Sequence, residues 1–263
     1  MHRMVCLSLL LCFALIALTA CEDENDETSP GDNQQVGPLD WNRSSDNIVL
    51  RVDETRNQSG TAFLANEIPL CTLWGDGRLV WINELDTTRE VLEAQLDDEA
   101  VRALIETVIF SGFYDWESDF TIPDQSRNNM QSITLNLFSE ERTVQRFSAW
   151  PAGGFQRILQ ACQQASDEPV LFLPEGGWVS AIEVTYNTEV GQIPWYDVAS
   201  GFNLADVAGG APPRWVSGNL AIVLWRDVIL PRTTIHIRDQ NQSYELIMQV
   251  PRVTRDAPPP PAE

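Results

Sequence analysis

The sequence predicts an α+β fold: a mixed or antiparallel sheet with two amphipathic helices, in the order β-β-β-α-β-β-α, followed by a smaller β-rich second unit. Three observations predict it. An Asp-Gly pair lies between two β-rich runs at 70–74 and 78–82. Two later stretches, 101–108 and 155–162, repeat apolar residues at helical spacing. Between and after them, short runs alternate apolar and polar residues.

Residues 48–52 read as a short apolar strand and 55–67 as a loop. The next two runs flank Gly75-Asp76-Gly77, where Asp-Gly supplies the positive φ of a tight hairpin turn. Trp74 and Trp81 stand at near-mirrored positions about it and are expected to pair across the strands. Leu92, Ala94 and Leu96 alternate and give a third strand. Asp97 suits a helix N-cap, with Asp98 and Glu99 in the positively polarised first turn. Val101, Leu104, Ile105 and Val108 form the apolar stripe, and Gly112 is a natural stop. After a polar loop at 123–129, Ile133, Leu135 and Leu137 alternate, and a turn at Ser139-Glu140-Glu141 leads into 142–150. Phe155, Ile158, Leu159 and Cys162 mark the second helix.

Residues 166–177, with Pro169, Pro174 and Gly176-Gly177, read as a linker between an α+β domain at 48–165 and a β-rich domain at 178–252. In the latter, Trp178, Ser180, Ile182, Val184 and Tyr186 fall on one side of a strand. The apolar stretch 219–228 fits helix or strand. A hairpin is expected from 233–237 and 244–250 across Asp239-Gln240-Asn241-Gln242. Residues 253–263, with prolines at 258–261, read as a stiff, disordered tail.

Composition limits the chemistry. The 263 residues carry 38 acidic and 17 basic side chains, a net charge of −21. Every basic residue is arginine, and histidine occurs only at His2 and His236. Without lysine there is no Schiff-base chemistry and no GxxxxGK[ST] phosphate loop. So few histidines give no His-rich zinc site, and no metal or other cofactor is expected. Such acidity disfavours nucleic acid, whose phosphates need cationic partners. No GxSxG, HExxH, CxxC or GxGxxG occurs, and His236 alternates with apolar neighbours as on the solvent face of a strand.

Residues 1–20 read as a signal peptide. His2 and Arg3 form a basic start, and 5–18 is apolar except for Ser8, shorter than the roughly 20 residues of a bilayer span. The run ends Leu18-Thr19-Ala20-Cys21, which resembles the lipobox of bacterial lipoproteins. The resemblance implies cleavage before Cys21 and a lipid on its thiol, hence a membrane anchor with the folded part extracytoplasmic. Residues 21–47 then form the lipidated cysteine and an acidic tether that begins Glu22-Asp23-Glu24-Asn25-Asp26-Glu27. With Cys6 and Cys12 removed and Cys21 lipidated, Cys71 and Cys162 remain. In an oxidising compartment they are expected to pair, the alternative being two separate buried thiols.

The segment Pro69-Leu70-Cys71-Thr72-Leu73-Trp74-Gly75-Asp76-Gly77-Arg78, with the helix ending Ser111-Gly112-Phe113-Tyr114, resembles a domain of uncharacterised bacterial lipoproteins. The Asp-Gly hairpin followed by a helix is also similar to emfourin-like protease inhibitors, although their glycine-rich entry is missing. Neither resemblance implies a functional residue.

The function expected from these features is a non-enzymatic binding or interaction module, held at the membrane by Cys21 and engaging an envelope protein or glycan. Inhibition of extracellular proteases and carboxylate-based hydrolysis are the alternatives. Of the nine tryptophans, Trp195 and Trp215 lie in a Pro/Gly-rich stretch and are the candidate ligand or partner contacts, since exposed aromatics stack on sugars or anchor a partner.

Overall fold

A computed structural model describes residues 37–56, 61–122, 129–195 and 197–262. It has an α+β architecture with two sheets. The strands in chain order are β1 (Ile48–Arg56), β2 (Cys71–Trp74), β3 (Arg78–Glu84), β4 (Arg89–Gln95), β5 (Asn129–Asn136), β6 (Glu141–Arg146), β7 (Val170–Leu171), β8 (Gly176–Val184), β9 (Gly191–Pro194), β10 (Arg214–Ser217), β11 (Ile235–Asp239) and β12 (Gln242–Gln249). The larger sheet has the order β6-β5-β1-β2-β3-β4-β7 and the smaller β10-β8-β12-β11-β9. Every adjacent pair is antiparallel except β9 with β11.

The period-two alternation of the strands separates two faces of the larger sheet. Leu50, Val52, Cys71, Leu73, Leu79, Trp81, Ile133, Leu135 and Val144 point to the face covered by the helices Asp98–Phe110 and Gly154–Gln163. The first helix begins at Asp97, whose carboxylate accepts from the Ala100 N–H at 2.8 Å, and carries Asp98 and Glu99 in its first turn. Its buried stripe is Val101, Leu104, Ile105 and Val108. Gly112, at φ +92°, turns the chain out of it. The second helix buries Phe155, Ile158 and Cys162. Cys162 meets Cys71 at disulfide distance, with Cα atoms 6.4 Å apart, so the helix layer is tied to the middle of the sheet.

On the other face of the larger sheet, Trp74, Val80, Ile82 and Val91 share a second core with Val179, Ala181, Leu204, Leu224, Trp225, Leu246 and Met248. The smaller sheet therefore closes its core against β2, β3 and β4. The segment 166–177, expected as a linker, takes part: β7 extends the larger sheet and Phe172 is buried in the shared core.

Several elements depart from expectation, each for a nonlocal reason. Four strands precede the helix Asp98–Phe110, residues 48–56 forming a central strand between β2 and β5, and the expected loop 55–67 holds the end of that strand and a short helix, Thr61–Ala65. Trp74 and Trp81 do not pair; across the Gly75-Asp76-Gly77 loop, with Gly77 at φ +84°, Cys71 opposes Trp81, and the two indoles enter opposite cores. In β8, which ends at Val184 short of Tyr186, Trp178, Ser180, Ile182 and Val184 share one side and are half-buried, while Gly177, Val179 and Ala181 are buried on the other. The stretch 219–228 is helical, with α-helix Gly218–Leu224 running into a π-turn, Trp225–Ile229. The hairpin β11–β12 forms across Gln240 and Asn241 as expected. Trp41, within the expected tether, is fully buried and donates from Nε1 to the Gly75 carbonyl at 3.0 Å. Residues 253–255, within the expected tail, also join the body: Val253 and Thr254 are buried, and Arg255 is held by two carboxylates.

Candidate functional site

The part of the larger sheet not covered by the smaller one presents a polar row. It follows from the register: Thr143 of β6 opposes Thr134 of β5, Thr134 opposes Arg51 of β1, and Arg51 opposes Thr72 of β2. Arg51 is the only charge in the apolar run Ile48-Val49-Leu50-Arg51-Val52. Alternation forces it to the face opposite Leu50 and Val52, away from the helices.

Two grooves meet at Arg51. One, of about 170 Å³, lies between Arg51, Thr72 and Trp74 on one side and the crossing segment 252–257 on the other. The second, of about 430 Å³, continues over Thr134, Asn136, Glu141 and Thr143. Asp46, Ile48 and Arg51 line both. Nε of Arg51 is buried with no hydrogen-bond partner, and among the described residues its guanidinium enters no ion pair. Burial lowers its pKa below the ordinary arginine value, against the opposing attraction of Asp53 and Asp256. Thr72 beside it is only 3% exposed.

The other two guanidinium groups of the smaller groove are committed. Arg252 pairs with Asp76 at 2.9 Å. Arg255 forms a fork on Asp53, with Nε to Oδ2 at 2.8 Å and Nη2 to Oδ1 at 2.7 Å, and its Nη1 reaches Glu67 Oε2 at 2.6 Å. Burial works against its charge, but Asp53 and Glu67 outweigh burial and raise its pKa. These two carboxylates converge as a hydrolase pair would, yet both are engaged by one cation. Arg51 is thus the available donor: a planar group whose N–H fork matches a carboxylate or phosphate oxygen pair. Asp46 and Glu141 on the rim repel a multiply charged anion and suit a ligand with a single negative group and polar neighbours.

The expected site residues fall elsewhere. Cys21 lies outside the described residues. Cys71 and Cys162 meet, as stated. Trp195 and Trp215 are not brought together. Trp195 is 7% exposed and donates to the Phe202 carbonyl at 2.9 Å, which makes it a core residue of the smaller sheet rather than an exposed loop contact. Trp215 is half-buried on β10, its ring 5.4 Å from that of Trp178. His236 is buried, 6% exposed, not on a solvent face, with Nε2 3.8 Å from Glu245. Sequence reasoning missed Arg51, although a single charge inside an apolar strand was a visible signal. It also missed Arg255, whose role depends on partners 188 and 202 residues away.

Among the described residues there is no group of three or more His, Cys, Asp or Glu that could hold a metal, and no helix long and apolar enough to cross a membrane. Comparison with protein-family models, with curated proteins and with solved structures finds no match.

Proposed function

We propose that the protein is a membrane-anchored, extracytoplasmic binding module that takes a polar ligand bearing one carboxylate into the groove at Arg51. The observation that carries the ligand reading is the half-buried Arg51 side chain at the junction of two grooves, whose buried Nε has no hydrogen-bond partner. A desolvated charge without a partner is costly, and it is retained where a ligand supplies the counter-charge. Thr72, Thr134, Asn136 and Thr143 provide hydroxyl and amide groups beside it, the complement of a glycan acid or of a peptide ending in a free carboxylate. The anchor reading rests on the sequence Leu18-Thr19-Ala20-Cys21 and the apolar run before it.

Isothermal titration of the mature protein separates the two ligand sources. Acidic cell-wall glycan fragments form one arm and short peptides with free or amidated C-termini the other. Binding in either arm is expected to disappear in Arg51→Ala, and heat that persists in that variant overturns the assignment. Intact mass of the membrane fraction tests the anchor: a chain starting at Cys21 carries acyl mass, and a chain without it refutes the lipid.

A further inference from the structure

The smaller sheet has an outer surface that neither core uses. Register places Trp178 of β8 between Trp215 of β10 and Gln249 of β12. All three side chains stand on the side opposite the buried Val179, Val216 and Met248. The Trp215 ring lies directly over Gly176, where any Cβ would overlap it, so this indole is seated rather than free to swing. The two indoles meet edge to face, at 70° between planes.

The proline segment crosses this surface. Gln249 Nε2 donates to the Asp256 carbonyl at 3.3 Å, and Trp178 Nε1 donates to the Pro259 carbonyl at 2.8 Å. The two carbonyls are three residues apart, the repeat of a polyproline II helix, the conformation that a run of prolines such as 258–261 favours. Side chains of two neighbouring strands thus hold two backbone carbonyls of the proline segment. Pro260 then lines a cavity of about 360 Å³ together with Trp215, Phe172, Pro251 and Arg252. Aromatic walls with an indole N–H aimed at a proline carbonyl are the physical basis of proline-rich peptide recognition.

We propose that Trp178, Trp215 and Gln249 form a recognition surface for polyproline II segments, that the chain's own residues 256–260 occupy it, and that a basic, proline-rich segment of a partner protein displaces them. The resident segment is poorly matched in charge. It carries Asp256 on a protein of net charge −21. In the cavity, Arg78 is paired with Glu93 and Arg252 with Asp76, while among the described residues Glu175 on the rim enters no ion pair. A proline run flanked by arginine or lysine gains attraction there that the resident segment lacks. The resident holds on through proximity: Arg255 is clamped only four residues before Pro259, which keeps the local concentration of the segment in the millimolar range.

The test titrates the intact mature chain, labelled with ¹⁵N at tryptophan, with peptides Arg-Ala-Pro-Pro-Pro-Pro-Ala-Arg and Asp-Ala-Pro-Pro-Pro-Pro-Ala-Glu and with a Gly/Ser control. The Trp178 indole N–H is identified by its loss in Trp178→Phe. The basic proline peptide is expected to shift that signal saturably, at least about tenfold more tightly than the acidic one at low salt, and the control is expected to leave it unmoved. In a chain with Pro258→Ser, Pro259→Ser, Pro260→Ser and Pro261→Ser, the basic peptide should bind at least about tenfold more tightly, because the resident competitor is weakened. In that background Trp178→Phe should cost about tenfold, one hydrogen bond. An unmoved Trp178 signal at millimolar basic peptide in the intact chain overturns the recognition surface. Equal affinity in the two chains overturns self-occupancy, and a preference for the acidic peptide overturns the charge assignment.

Discussion

Arg255 holds Asp53 through two parallel N–H···O bonds of 2.8 and 2.7 Å, across 202 residues of sequence. The third donor of the same guanidinium closes on Glu67. Asp53 and Glu67 side chains are 8% and 7% exposed, so the cation neutralises two carboxylates that water barely reaches. The clamp also fixes the segment that forms one wall of the Arg51 groove.

Removing that cation should therefore be costly. Arg255→Ala strands two buried carboxylates, and a loss of about 3–5 kcal/mol is expected in chemical denaturation. Arg255→Lys restores the charge without the planar fork and should recover only part of it. In a double-mutant cycle with Asp53→Asn, the two losses should fall well short of additive. Additive losses would show that the pair is not coupled.

Arg51→Met should behave in the opposite way. The side chain keeps its stem while losing a half-buried charge that has no hydrogen-bond or ion-pair partner among the described residues. Thermal stability is expected to stay unchanged or rise by about 1 kcal/mol, while ligand binding in the groove is lost. A destabilisation comparable to that of Arg255→Ala would mean that Arg51 is structural.

Breaking the Cys71–Cys162 link by Cys71→Ser with Cys162→Ser opens a loop of 91 residues. The chain-entropy account gives a loss of roughly 4–5 kcal/mol. The check is a pair of urea melts, oxidised against double variant, with a thiol assay showing that the parent protein has neither thiol free after denaturation.

Asp119 provides a pH signature. The Ser148 hydroxyl at 2.5 Å, then the Thr121 N–H, hold its carboxyl below the ordinary 3.8, at about 2. A carboxyl held down in the folded state favours folding above its ordinary value, and that contribution is lost as pH falls from about 3.8 to about 2. Ser148→Ala should raise the Asp119 midpoint toward the ordinary value in a carboxyl-detected NMR titration. No change in the midpoint would rule out the hydroxyl as its main cause.

Features set by neighbours in sequence were legible. The Asp97 cap, the stripe from Val101 to Val108, the Asp-Gly hairpin and the Cys71–Cys162 pair all follow from local pattern or from simple counting. Side-chain destinations set by distant strands were not. Trp74 and Trp81 looked symmetric about their turn, yet the second sheet draws one of them to the opposite face. Trp195 looked exposed because its surroundings are rich in glycine and proline, but its indole has a backbone carbonyl to satisfy inside the core. Arg255 sits among prolines that read as disorder. Nothing nearby in sequence shows that Asp53 and Glu67 need its charge.

The position of β1 bears on how the chain reaches this structure. β1 is the earliest strand in sequence among the described residues, and it lies inside the larger sheet, between β2 and β5. One flank finds its partner within about twenty residues, by a loop closure that is fast. The other waits for 129–135, which pair with 50–56. Until that ladder closes, β1 has an open hydrogen-bonding edge and the apolar Leu50 and Val52 are only partly covered. Such an edge invites pairing with another unfinished chain. Docking of the β5–β6 hairpin along β1 is then expected to be the slow event in folding, and aggregation during refolding should track the lifetime of that edge.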